Sequence, residues 1–90
     1  MEFLTKSGTY TPYEPDCESF AYLEIYRLSE NEMQEIEEQA MPPYMIMEYL
    51  ELNTPRYFVE PGAWYTENNF VAYDDITGLL IIEVRKSLNV

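Results

Sequence analysis

The sequence predicts an α+β fold: an antiparallel β-sheet with two short helices packed on one face, in the order β-β-α-α-β-β-β. Three observations lead there. From Ser29 to Asn53 apolar residues recur at helical spacing among seven glutamates, and a proline pair divides the stretch. From Phe20 to Leu28 the residues alternate with the period of a strand. Asp74 to Gly78 separates two β-rich runs with the chemistry of a hairpin turn.

In chain order, Met1 to Lys6 reads as a short edge strand with Phe3 as its inward residue. Ser7 to Ser19 carries Gly8, Pro12 and Pro15 among polar residues, the composition of a long loop, which Tyr10 and Tyr13 are placed to pin down. Phe20 to Leu28 is a strand with Ala21, Leu23 and Ile25 on one side and Tyr22, Glu24 and Tyr26 on the other.

The strand runs into Ser29, an N-cap residue, and Glu32 three positions on completes capping-box spacing. A helix over Glu30–Ala40 places Met33, Ile36 and Ala40 in one narrow arc, leaving Glu30, Glu32, Glu35, Glu37 and Glu38 around the remaining circumference. Capping and the helix dipole account for Glu30 and Glu32 only. Pro42 and Pro43 end this helix, and Pro43 starts a second over Pro43–Leu52, since a proline's missing N–H is no loss in a first turn. There Glu48 and Glu51 share a stripe beside Tyr44, and Met45, Ile46, Met47, Tyr49, Leu50 and Leu52 form a broad apolar arc.

Arg56 to Glu60 reads as a short strand stopped by Pro61 and Gly62, with Trp64 and Tyr65 as apolar anchors in the following turn. Phe70 to Asp74 and Leu79 to Arg85 are the hairpin strands, and the second, apolar on both sides apart from Glu83, belongs in the middle of the sheet. The expected core is Ile36, Ile46, Leu50, Val71, Leu80, Ile82 and Val84.

The 90 residues are expected to form one acidic domain over 1–90. With 17 acidic and 5 basic residues the formal charge is −12, which opposes direct binding to DNA, RNA or an anionic membrane and favours a basic partner. Eleven acids and the single base Arg27 lie between Glu14 and Glu51, so the field is one-sided. A solvated acidic surface is the bland alternative. One cysteine, Cys17, rules out an internal disulfide, and with no signal-like segment and no run of about 20 apolar residues the expected location is the cytoplasm.

No enzymatic chemistry is expected. The chain has no histidine, so no Ser-His or Cys-His nucleophile can be assembled. Cys17 stands between Asp16 and Glu18, which disfavour its thiolate. Carboxylate pairs of the glycosidase kind arise by chance among so many acids. Asp74 and Asp75 lack calcium-loop spacing and read as turn residues. Met41, Met45 and Met47 read as core, not as soft-metal ligands. The aromatics Tyr10, Tyr13, Tyr26, Tyr57, Trp64 and Tyr65 serve the core or anchor a protein partner. No cofactor or metal is expected.

A helix rises about 1.5 Å per residue, so carboxylates three apart stand about 4.5 Å apart along the axis, near the roughly 3.4 Å step of phosphates on one DNA strand. In size, acidity and absence of catalytic residues the chain resembles the small DNA-mimic inhibitors of bacteriophages and other mobile elements, which block CRISPR effectors, restriction enzymes or other DNA-binding proteins. That resemblance implies an inhibitor of the anti-CRISPR or anti-restriction type. From the one-sided charge pattern, not from the resemblance, the expected partner is a basic nucleic-acid-binding protein, and the expected contact residues are Glu30, Glu32, Glu35, Glu37, Glu38, Glu48 and Glu51. The alternatives are an immunity or antitoxin-like protein that caps a basic nuclease and a small structural or assembly protein, and a homodimer is compatible with each.

Overall fold

The computed structural model describes residues 1–12, 18–53 and 61–88. Along them lie β1 (Glu2–Lys6), β2 (Ser19–Arg27), α1 (Glu30–Glu38), α2 (Pro43–Tyr49), β3 (Trp64–Tyr73) and β4 (Leu79–Leu88). The strands form one four-stranded sheet in the order β1-β2-β4-β3, with every neighbouring pair antiparallel. The α+β class is the one the sequence predicts. The strand expected over Arg56–Glu60 lies outside the described residues, as do Tyr13, Cys17 and Tyr57.

Alternation along β4 sorts the sheet into two faces. Leu80, Ile82 and Val84 are buried, whereas Leu79, Ile81, Glu83 and Arg85 between them are only half-buried. Tyr22, Glu24 and Tyr26 of β2 stand opposite Val84, Ile82 and Leu80, so β2 turns its tyrosines, not its aliphatic set, toward this inner face. Phe70 and Tyr73 join them from β3. Onto that face α1 packs Ile36, α2 packs Ile46 and Met47, and the connecting residues Leu28, Leu50 and Leu52 close the cluster. Leu80 and Ile82 are 0 % exposed and anchor the core, each contributing about 1.5–3 kcal/mol of transfer free energy.

Both helices end earlier than the periodicity predicts. α1 stops at Glu38 and is capped by Gln39, with Ala40 beyond it at φ 46°. The Met41 amide reaches back to the Ile36 carbonyl at 3.1 Å and the Ala40 amide to that of Glu37 at 3.1 Å, the paired bonds of a Schellman motif. α2 ends in the same way after Tyr49: Glu51 sits at φ 56°, and the Leu52 amide bonds the Met47 carbonyl at 2.8 Å. Met41 and Leu52, the residues that follow each left-handed position, turn into the core. The apolar period continues past each helix because the reversed chain still needs a core residue, not because the helix continues.

Two strand expectations need correction. β3 begins at Trp64, so Trp64 and Tyr65 are strand residues and not turn anchors. The polar run Thr66-Glu67-Asn68-Asn69 hides this strand from a hydrophobicity reading, yet it pairs with β4 throughout, and Asn68 Nδ2 donates to the Leu52 carbonyl at 2.8 Å. Val71 was expected in the core but is 48 % exposed. The register slips between Phe70 and Ala72, so Val71 is the extra residue of a β-bulge and leaves the inner face to Phe70 and Tyr73. β1, at the far side of the described sheet, is exposed along its length, so Phe3, expected to face inward, is 49 % exposed and covers Tyr26 edge-on at 5.5 Å.

The β3–β4 turn follows its sequence chemistry. Asp74 accepts from the Ile76 amide at 3.0 Å and the Thr77 hydroxyl at 2.7 Å, and Gly78 takes φ 76°. The Leu28 amide donates to the Gly78 carbonyl at 2.8 Å, which ties the end of β2 to this turn just before α1 begins.

Candidate functional site

The entry to α1 is built as the sequence predicts. The Glu32 amide donates to Ser29 Oγ at 3.2 Å and the Ser29 amide donates to Glu32 Oε1 at 2.8 Å, so both halves of the capping box are present. The Met1 ammonium adds an ion pair to the same carboxylate at 3.0 Å. Partial burial alone would raise the Glu32 pKa, but the Ser29 amide and the ammonium outweigh it and hold the carboxyl below the usual range. Of the seven candidate glutamates, Glu32 is thus already engaged within the protein.

The other six are distributed around the helices. At about 100° per residue, Glu38 faces directly away from the Met33 and Ile36 seam, Glu35 lies on the Glu32 flank, and Glu30 and Glu37 share the opposite flank with Gln34. Glu35 accepts from Gln39 Nε2 at 2.6 Å and Glu38 from Gln34 Nε2 at 2.9 Å, neutral partners one turn away. Glu48 is exposed on α2 next to Tyr49. Glu51, expected on the same helical stripe, lies past the helix end in its left-handed conformation and points into solvent. Among the described residues no Lys or Arg side chain pairs with any of these six.

On the Glu30 and Glu37 flank the surface is concave. An open cavity of about 690 Å³ lies between α1, the start of α2 and the β3–β4 turn. Met33, Ile36, Met41, Ile46 and Tyr73 supply an apolar lining, and Glu30, Glu37 and Asp75 bring carboxylates to it. Ile76, at the tip of the turn, borders the cavity while 86 % exposed. Burial raises the Tyr73 phenol pKa, and the charges of Asp75, Glu37 and Asp74 push it further in the same direction. The negative field of the turn and that of α1 therefore converge on one hydroxyl.

A second polar group lies on the face of the sheet opposite the helices. Tyr10 forms a bridge with Ala21 in both directions, at 2.9 and 2.8 Å, and its hydroxyl crosses β2 to donate to Glu83 on β4, which also accepts from Arg85. Partial burial acts to raise the Glu83 pKa, but the Tyr10 and Arg85 bonds hold it below the usual range, and the Glu83 bond raises that of Tyr10. Every member is satisfied, so the group fastens the loop to the sheet, the pinning role expected of Tyr10.

Sequence reasoning placed Met33 in the core seam and Asp75 in the turn without seeing that the two meet across a cavity. The signal was Ile76: a lone β-branched apolar residue in the polar turn Asp-Asp-Ile-Thr-Gly has no structural duty there. Of Met41, Met45 and Met47, expected in the core, Met47 is buried and Met41 packs on the core cluster, whereas Met45 is half-buried outside it. Among the described residues no group of His, Cys, Asp or Glu side chains is arranged to hold a metal ion, and no helix is long and apolar enough to cross a membrane. Comparison with family models, with curated proteins and with solved structures gives no match.

Proposed function

We propose that the protein is a small acidic inhibitor that acts in the cytoplasm by occupying the nucleic-acid-binding groove of a basic protein, in the manner of a DNA mimic. The observation that supports this reading is the placement of Glu37 and Glu38 in the last turn of α1, where no basic residue accompanies them. The negative end of the helix dipole disfavours carboxylates there, and Glu35 and Glu38 are like charges one turn apart. Local stability would be served by Lys or Arg at these positions. A Lys/Arg-lined groove on a partner supplies the missing countercharge and is drawn by the same field. Glu30, Glu35, Glu37, Glu38, Glu48 and Glu51 are the carboxylates that pair with no cation among the described residues, and the action is blockade, with no reaction.

The test is competition between the protein and labelled DNA for a panel of purified basic DNA-binding effectors, across a salt series. Displacement is expected at low salt and should fade steeply as salt screens exposed charge. The Glu35→Lys/Glu38→Lys double variant should lose it. Displacement by the double variant equal to wild type would overturn the reading. The apolar cavity favours a second reading, an immunity-type protein that caps a basic nuclease through a few desolvated anchors; its binding would fall less steeply across the same salt series.

A further inference from the structure

The cavity beside α1 combines two kinds of surface that no single simple ligand satisfies. Met33, Met41 and Ile76 present apolar atoms to the open cavity, and Ile76 does so at the tip of a turn whose Ile76 amide and Thr77 hydroxyl are bonded to Asp74. Around them stand Glu30, Glu37 and Asp75, none of them ion-paired among the described residues. A wholly apolar ligand would desolvate these carboxylates without compensation. A wholly cationic one, such as a polyamine, would leave the methionines and Ile76 in water. A nucleic acid or an anionic lipid surface would be repelled by all three acids. The cavity opens to solvent and would leave much of a small molecule uncovered, so it suits inserted side chains of a longer chain better than an enclosed ligand.

We propose that this groove docks a Lys/Arg-rich amphipathic peptide segment of the partner, which inserts an apolar side chain into the cavity and sets its cations against Glu30, Glu37 and Asp75. The inference rests on the reading of a basic partner and adds to it the place and manner of contact. Methionine side chains are unbranched and polarizable, so Met33 and Met41 can re-pack around an incoming aliphatic or aromatic group. The aliphatic stems of Lys and Arg lie along the remaining apolar lining while their charged heads reach the rim. The contact belongs to the class in which an amphipathic segment lays its apolar side in a groove and charge sets its partner choice.

The probe is a synthetic Lys/Arg-rich peptide with one Leu, compared with the same peptide carrying Ala in place of Leu, both titrated into the intact protein. Shift changes in the NMR signals of Met33, Met41, Tyr73 and Ile76 are expected. The Ala peptide should bind about ten-fold more weakly or worse, the loss expected when an apolar side chain is no longer buried. Ile76→Ala, at an exposed position where folding is not at stake, should weaken the Leu peptide, and Glu37→Gln/Asp75→Asn should weaken both peptides. Equal binding of the two peptides, or shifts confined to Glu38, Glu48 and Glu51, would overturn the groove. The DNA-competition assay fails independently: displacement retained by Ile76→Ala with no anchor preference sinks the groove alone, whereas anchored peptide binding without displacement of DNA from any effector sinks the mimic reading alone.

Discussion

A Cβ built on Gly78 would stand 2.8 Å from the Met33 sulfur and 3.2 Å from the Leu28 carbonyl oxygen. The glycine is needed for its φ of 76°; the space beside it matters less, because the Met33 thioether ends a flexible side chain and only the Leu28 carbonyl is fixed. Gly78→Ala should therefore destabilise the protein by about 1–3 kcal/mol, read as a lower denaturation midpoint. Adding Met33→Ala should recover at most a small steric part and leave the backbone part. Recovery of most of the loss would show that the contact with Met33 is the cause.

The core yields a contrast between two neighbouring β-branched residues. Ile82 is 0 % exposed at the centre of the sheet, and Val71 is 48 % exposed on its bulge. Ile82→Ala should lower stability by about 2–5 kcal/mol, whereas Val71→Ala should change it by less than about 0.5 kcal/mol. Equal effects in chemical denaturation would place Val71 back in the core.

These residues also show where the sequence is legible. Six of the seven expected core residues are buried, because a helical seam or an apolar strand leaves a period that composition alone cannot imitate. Val71 escaped because a bulge is a register event that shifts one residue without altering the pattern around it. β3 from Trp64 to Asn69 escaped because a strand can be polar in side chain and still satisfy its backbone by pairing with β4. The capping box was readable from two residues. The groove was not, since it joins Glu30 and Met33 to Asp75 and Ile76 across the fold and has no local signature.

The two helix ends offer gains in stability. Ala40 and Glu51 hold left-handed conformations that L-residues adopt at a cost, and each completes a Schellman motif where glycine is favoured. Ala40→Gly and Glu51→Gly should each raise stability by about 0.5–1 kcal/mol, with the two effects adding. A loss on either substitution would mean that the motif tolerates its present residue without strain.

Acid should loosen the entry to α1. Burial works to raise the Glu32 pKa, but the Ser29 amide and the Met1 ammonium outweigh it and depress it. Below the ordinary glutamate range, near about pH 4.3, the unfolded chain therefore binds the proton first. The stabilisation by Glu32 is fully present above that range and disappears as pH falls through the lower folded value. Glu83 and Asp74, also depressed, act in the same sense. Glu32→Gln should be less stable than wild type at neutral pH, and the difference should shrink as pH drops from about 6 to about 3 in denaturation midpoints. A difference independent of pH would assign the effect to packing alone.

Charge placement in α1 predicts that function and stability part company in one variant. Glu38 lies in the last turn, against the negative end of the helix, and its one hydrogen-bond partner among the described residues is the neutral amide of Gln34. Glu35 precedes it by one turn, so the pair repel each other. Replacing both with lysine places cations where the dipole favours them and sets a lysine at position 35 within reach of Glu32 on the same flank. The Glu35→Lys/Glu38→Lys protein should melt about 2–6 °C higher than wild type. It should nevertheless fail to displace DNA from a basic effector, because its field no longer matches a phosphate-binding groove. Glutamates that were merely solvated surface would give the higher melting temperature without any change in binding. A lower melting temperature together with lost binding would instead mean that Glu35 and Glu38 hold the helix, and that the interaction was lost through the fold.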